Sequence, residues 1–326
     1  MVEHPFAAVL AAGAAALDEP VAARLADDLG APLRVVVCGR SGSGRDTVRR
    51  ALRGAGAVVA DPDEFADVAV YVFAETLTPE DRAALAAGRR PSVAVLNKAD
   101  LSCFRGNGPM AAAAERCSEL ERRTGVPTRP LAALLAVAAA QPAVLDQSLL
   151  DALRVVTIEP ARLTPEIGRR LLAELDLFGI ATAVAAVGRG ADRAALVSLL
   201  REVSGVQAVL AAIDRAGAPI RYRRLIQALA QLAELAVGPG GAGVAQFLAA
   251  DAVVLARMAA AVDVIAAPET AAGPTGGRSA QLRRAIHWQR YARGPVSGLH
   301  RACGIDIARG ALRLWVQAGG IPVAMP

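Results

Sequence analysis

From Arg34 to about Ala140 the chain alternates short apolar runs with longer segments whose apolar residues recur at helical spacing. The runs Val35–Gly39, Val68–Phe73 and Pro91–Asn97 read as strands, and a further short strand ends near Pro130–Ala133. Between them, Thr78 precedes Pro79, Glu80 and Asp81, which is how a helix starts when Thr caps it and Pro takes the first helical position. Met110 to Arg123 reads as another helix. Strand–helix alternation of this kind predicts a parallel sheet with right-handed crossovers. Beyond about Gln147 the strand signal stops. Segments such as "TPEIGRRLLAELDLFG", "GADRAALVSLLREVSG" and "APIRYRRLIQALAQLAELAVG" keep the helical period, with Thr or Asp near the start and Gly near the end. In the last of these Leu225, Leu229, Leu232 and Leu235 or Val237 mark a buried stripe. A Gly-, Pro- and Thr-rich break follows at Pro268–Ala280, and a helical pair turns at "GPVSG" beyond it. The fold class is therefore α/β: a reduced parallel sheet plus an all-α domain.

Composition supports the helical half. The chain is 54% hydrophobic and 21% charged but only 3% aromatic, so its packing rests on Ala, Leu and Val, and an Ala-rich sequence favours helix. The amino-terminal segment has no basic region before its apolar stretch and carries Glu3, and no uncharged apolar run reaches the ~18 residues of a membrane span, which points to a cytoplasmic protein. Cys38, Cys103, Cys117 and Cys303 show no C-x-x-C spacing and read as buried or incidental thiols. Of 36 basic residues a single one, Lys98, is lysine, as a high-GC genome would spell its cations.

Two short motifs carry candidate chemistry. "GRSGSGRDT", Gly39–Thr47, lies between an apolar strand and a charged helix start, like a phosphate-binding loop, but Arg45 and Asp46 stand where G-x-x-x-x-G-K-[ST] has Lys and Ser or Thr. Asn97-Lys98-Ala99-Asp100 spells N-K-x-D at the carboxyl end of a strand, where ligands of open α/β sheets bind. A carboxylate there can accept two hydrogen bonds from the guanine N1 and N2 donors, which adenine lacks; Asp100 as a helix cap is the plainer alternative.

Through these motifs residues 33 to 140 resemble the P-loop GTPases of the TRAFAC class. Their order, with the helical pattern of Leu175–Ile213, is similar to that of actinobacterial dynamin-like GTPases. The resemblance implies GTP or GDP as ligand, with Mg at its phosphates. Gly39, Ser41, Gly42, Ser43, Gly44 and Arg45 would cradle the phosphates, Asp46 and Thr47 would lie at the phosphates and stand in for the metal ligand, and Asn97, Lys98 and Asp100 would read guanine. Arg129–Val137 resembles the loop on the other side of the base, with Ala132 in place of Ser. Much of the hydrolytic apparatus is missing: Arg is a planar fork rather than a point charge, Asp46 replaces a hydroxyl, and no D-x-x-G separates the motifs. The closest acidic stretch, Asp61, Asp63, Glu64 and Asp67, lacks the glycine. Gly39 and Asn97 are 58 positions apart, which leaves the switch region shrunk to "GAVVADPDE".

The expected organisation is an amino-terminal helical segment (1–32) packed on a GTPase-like domain (33–145), a helical domain (146–267), a linker (268–280) and a basic helical hairpin (281–326). Residues 278–326 hold eight Arg against Asp306 alone, a net charge of +7 that exceeds the whole chain's +5. That tail fits the acidic face of a protein partner or of the chain's own GTPase-like domain, then an anionic membrane surface, with nucleic acid least favoured. Trp288 and Trp315 read as packing anchors, and His287 and His300 have no metal-ligand spacing. The expected function is a degenerate guanine-nucleotide-binding protein with weak or no hydrolysis, acting as a partner subunit of a related GTPase or of itself. A slow GTPase with an atypical Mg site and a nucleotide-free helical scaffold are the alternatives.

Overall fold

A computed structural model describes residues 5–17, 20–102, 108–141, 144–159, 162–238, 240–265 and 277–319. In chain order the elements are α1 (Pro5–Leu17), α2 (Pro20–Gly30), β1 (Arg34–Gly39), α3 (Arg45–Gly54), β2 (Val58–Ala60), β3 (Val68–Ala74) and α4 (Pro79–Ala87). Then come β4 (Ser92–Asn97), a 3₁₀ turn (Ala99–Leu101), α5 (Pro109–Thr124), β5 (Thr128–Leu131), α6 (Ala133–Ala140) and α7 (Gln147–Ile158). The remainder is helical: α8 (Pro165–Gly188), α9 (Arg193–Val203), α10 (Val206–Val237), α11 (Ala242–Ala249), α12 (Asp251–Ile265), α13 (Arg278–Arg293) and α14 (Gly298–Gln317). They form two compact units, one of residues 32–216, the other of residues 1–31 with 217–326.

The first unit holds a five-stranded, all-parallel sheet in the order β2-β1-β3-β4-β5. This is a doubly wound arrangement, in which the direction of strand addition reverses between β1 and β3. Both faces are covered, which is why the strands read as unbroken apolar runs. Val35, Val37, Val70, Val72, Val93 and Val95 point to one face, under α3, α6 and the first two turns of α10. Tyr71, Phe73, Ala94 and Leu96 point to the other, against α4 and α5. The expected helix starts hold: Thr78 caps α4 in a reciprocal pair with Asp81, and Pro79 opens it. The acidic stretch after β2 lies at the wrong end for a phosphate switch. Asp67 accepts from the Arg34 N–H at 2.8 Å and Glu64 pairs with the Arg34 guanidinium at 2.6 Å, at the start of β1. The loop after Gly39 leaves the other end, about 17 Å along a strand of this length.

The division of the chain differs from the expected one. Helices α8 and α9 pack on α6, and α7 on α8, in one core that holds Leu135, Leu149, Leu171, Leu175 and Leu196, so residues 146–216 belong with the sheet. The amino-terminal helices pack elsewhere: Phe6, Leu10, Leu25 and Leu29 share a core with Leu225, Leu232, Trp288 and Ile307. Helix α10 starts earlier than its sequence suggested and carries Pro219 inside it, feeding Val206 and Val209 to the sheet's core and Tyr222 and Leu225 to the other. Most of the expected linker, and Cys103, lie outside the described residues; Arg278–Ala280 are already helical. Cys117 and Cys303 are buried and Cys38 is half-buried.

In the second unit Asp306, 2% exposed, accepts from the Tyr222 hydroxyl at 2.8 Å and from Arg257 at 2.7 Å. The one acid of the carboxyl-terminal tail is thus consumed inside the fold. By length and composition α8 is the one single described helix able to cross a membrane, but Asp176 interrupts it with φ 53° and ψ −171°.

Candidate functional site

The loops that follow β1, β3, β4 and β5 leave the sheet at one edge, beside the β1/β3 reversal point where doubly wound sheets bind ligands. In the first loop Gly39, Gly42 and Gly44 adopt φ of 138°, 81° and 85°, a region that favours glycine. A Cβ on Gly39 would stand 2.1 Å from the Val72 carbonyl oxygen, and one on Gly44 would stand 2.3 Å from Asn97 Nδ2. Two of the motif's glycines are therefore required by close approach as well as by backbone conformation. Gly44 caps α3 without a side-chain hydrogen bond, so the first-turn N–H groups of α3 have no side-chain acceptor at the cap.

Asn97 binds the two motifs together. Its Nδ2 donates to the Ser43 carbonyl at 2.9 Å, and its Oδ1 accepts from the Ala133 N–H at 3.4 Å. Lys98, in the left-handed region at φ 56°, places Nζ 3.5 Å from the Gly42 carbonyl. Residues 54 to 56 positions apart are thus joined across the edge of the sheet. On the other flank, Arg40 Nε meets Asp81 Oδ1 at 2.9 Å. Asp81 is fully buried at the start of α4, where it also accepts from the Tyr71 hydroxyl and the Thr78 N–H, each at 2.8 Å. Burial alone would raise the Asp81 pKa, but the hydrogen bonds from Thr78 and Tyr71 and the Arg40 charge hold it below the ordinary value. The same burial, with Asp81 beside it, pushes Tyr71 up to about 12.

The remaining motif residues are placed less uniformly. Ser43 is buried and its hydroxyl donates to the Arg40 carbonyl at 2.8 Å, while Ser41 and Arg45 are exposed. Asp46 has a side chain 92% exposed, 3.3 Å from Arg49, and Thr47 is half-buried. Among the described residues no group of three His, Cys, Asp or Glu is gathered around a common point. Ala132 is 1% exposed and its N–H donates to the Ser204 carbonyl at 2.9 Å, so it presents neither side chain nor amide to a base.

Asp100 is 6% exposed and is hydrogen-bonded to Asp176, from the interruption in α8. Burial first, then the Asp176 carboxyl, pushes Asp100 up to about 6, against the opposing charge of Lys98. The Asp176 carboxyl also accepts from the Gly179 N–H at 3.0 Å, which anchors the break. Glu75, Lys98 and Asp176 are the described non-glycine residues with positive φ; two of them directly follow strands at this edge and the third touches Asp100. Strained backbone concentrated at one place is a mark of functional loops.

Sequence reasoning missed Arg40, Asp81 and Asp176. Arg40 falls at an unspecified position of the glycine motif, and Asp81 read only as part of a helix start. The third could have been noticed as an acid in the apolar stretch "LDLFGIA". No protein-family model, curated protein or solved structure matches this chain.

Proposed function

We propose that the protein binds a guanine nucleotide at the edge formed by the loops after β1 and β4, with little or no hydrolysis, and acts as a partner subunit of a related GTPase or of itself. The observation that carries this reading is the Asn97 bridge: it joins a glycine turn with uncapped helix amides to an N-K-x-D loop. Amides at a helix start suit phosphate oxygens whatever the side chains, so Gly42, Gly44 and the first turn of α3, with Arg45 beside them, would take the phosphates. Asp100 would accept from the guanine N1 and N2 donors, and Lys98 would lie along the base. Weak hydrolysis follows from what stands at the turn: an exposed Asp46 beside Arg49 in place of a metal-binding hydroxyl, and Asp61, Glu64 and Asp67 committed to Arg53 and Arg34. Asp46 or Thr47 would be the metal ligand if Mg accompanies the nucleotide.

One observation favours a nucleotide-free scaffold instead: Asp100 already has a carboxyl partner in Asp176. Calorimetric titration with GDP and GTP, with and without Mg, separates the two. Binding in the micromolar range that Asp100→Asn shifts from guanine towards xanthine nucleotides is the expected outcome. No heat at millimolar nucleotide would end the nucleotide reading.

A further inference from the structure

Helices α13 and α14 carry the chain's surplus charge, and the fold decides what solvent sees of it. Their buried positions include Ala285, Trp288 and Ala292 on the first and Cys303, Asp306, Ile307 and Ala311 on the second. What remains outside is of two kinds. Leu282, Ile286, Ile305, Leu312 and Val316 are exposed by 37–44%. Among the exposed arginines, Arg283, Arg290, Arg293, Arg301 and Arg309 have no ion-pair partner among the described residues. No acid is exposed on either helix, because Asp306 is held by Arg257 and Tyr222. Helical spacing interleaves the two kinds: Ile305, Arg309, Leu312 and Val316 fall on one stripe of α14, and Leu282, Ile286, Arg290 and Arg293 on one side of α13.

We propose that the outer faces of α13 and α14 form a docking surface for an anionic lipid bilayer. Aliphatic side chains standing among unpaired arginines match the boundary between headgroups and acyl chains, where apolar residues enter and guanidinium groups reach back to lipid phosphates. The aromatic residues argue against other polyanions. Trp288 is buried and Tyr291 and Trp315 are half-buried, so the His287 imidazole is the one exposed ring on the two helices, short of the stacking platforms that nucleic-acid bases use and of the tryptophan and tyrosine anchors that protein hot spots favour. Exposed leucine and isoleucine have nothing to gain from a phosphate backbone alone.

The test is co-sedimentation of the full chain with phosphatidylcholine vesicles, with and without phosphatidylserine, at increasing salt. Binding to the anionic vesicles only, falling as screening shortens from ~10 Å at 0.1 M to ~3 Å at 1 M salt, is the expected result. Leu312→Glu on α14, and Arg283→Glu with Arg290→Glu on α13, should each cut the bound fraction at a given lipid concentration by about tenfold or more. All three positions are exposed, and melting curves check that the variants fold; the α13 variant reads the same surface if the α14 variant does not fold. Absence of vesicle binding overturns the proposal. So does vesicle binding that survives both sets of substitutions, or binding of short DNA or an acidic protein without binding of vesicles.

Discussion

Asp100 is the residue on which the proposed guanine site turns, and its environment makes it pH-sensitive. Its carboxyl is pushed up to about 6 in the fold from an ordinary 3.8, so the folded state holds a proton that the unfolded chain releases earlier. The associated stability is present below about pH 4 and is lost as pH rises through about 6, a loss of order 1–3 kcal/mol. Removing the second carboxyl with Asp176→Asn should flatten that decline, read as the pH dependence of the denaturant midpoint between pH 4 and 7; an unchanged profile would contradict the pairing. The proposed guanine binding would have the opposite sense, weakening as pH falls below about 6, because only the carboxylate accepts two hydrogen bonds. Little of this was legible beforehand. The N-K-x-D spelling marks Asp100, but nothing local to it says that a residue 76 positions later will face it.

At the scale of elements the sequence was most readable where one physical rule dominates. Strands buried on both faces must be apolar throughout, and so β1, β3 and β4 stood out; Thr78 and Pro79 announced α4 because capping is a local matter. What could not be read is the second duty of α4's cap. Asp81 closes the helix start and also holds Arg40 from the glycine loop and the Tyr71 hydroxyl from β3. Asp81→Ala removes the cap and strands a guanidinium and a buried hydroxyl, which should cost about 2–4 kcal/mol of stability in equilibrium unfolding. Asp81→Asn keeps the size of the side chain and part of its hydrogen bonding, so it should cost less. Equal losses would assign the effect to the charge, which both substitutions remove, rather than to packing, which Asn keeps. The extent of α10 was misread for a related reason: periodicity identified a helix from Ala218 onward, yet the helix begins at Val206, since a proline inside can be carried when packing on either side holds the helix.

The division of the whole molecule was the least legible feature. Helical period shows that a segment buries one face and is silent on which core receives it, so residues 146–216 looked like a domain apart and the amino-terminal helices like a cover for the sheet. The pairing of chain ends in one unit comes from α1 packing on α12, so that Phe6 and Leu10 join the core that also holds Trp288 and Ile307, an arrangement that no local pattern encodes. Charge is distributed in a way the sequence did announce, since the basic surplus lies in the last 49 residues and the fold hides their single acid. The near-absence of lysine has a practical meaning at the same scale. Amine-directed acylating reagents find one exposed side-chain target in the folded chain, Lys98, held 3.5 Å from the Gly42 carbonyl. A reporter dye or crosslinker coupled at neutral to mildly alkaline pH would therefore enter at the loop where a base would rest, apart from any at the chain's own amino end. Its labelling rate, followed by peptide mass, would slow on addition of GDP if the loop is occupied and stay constant if it is not.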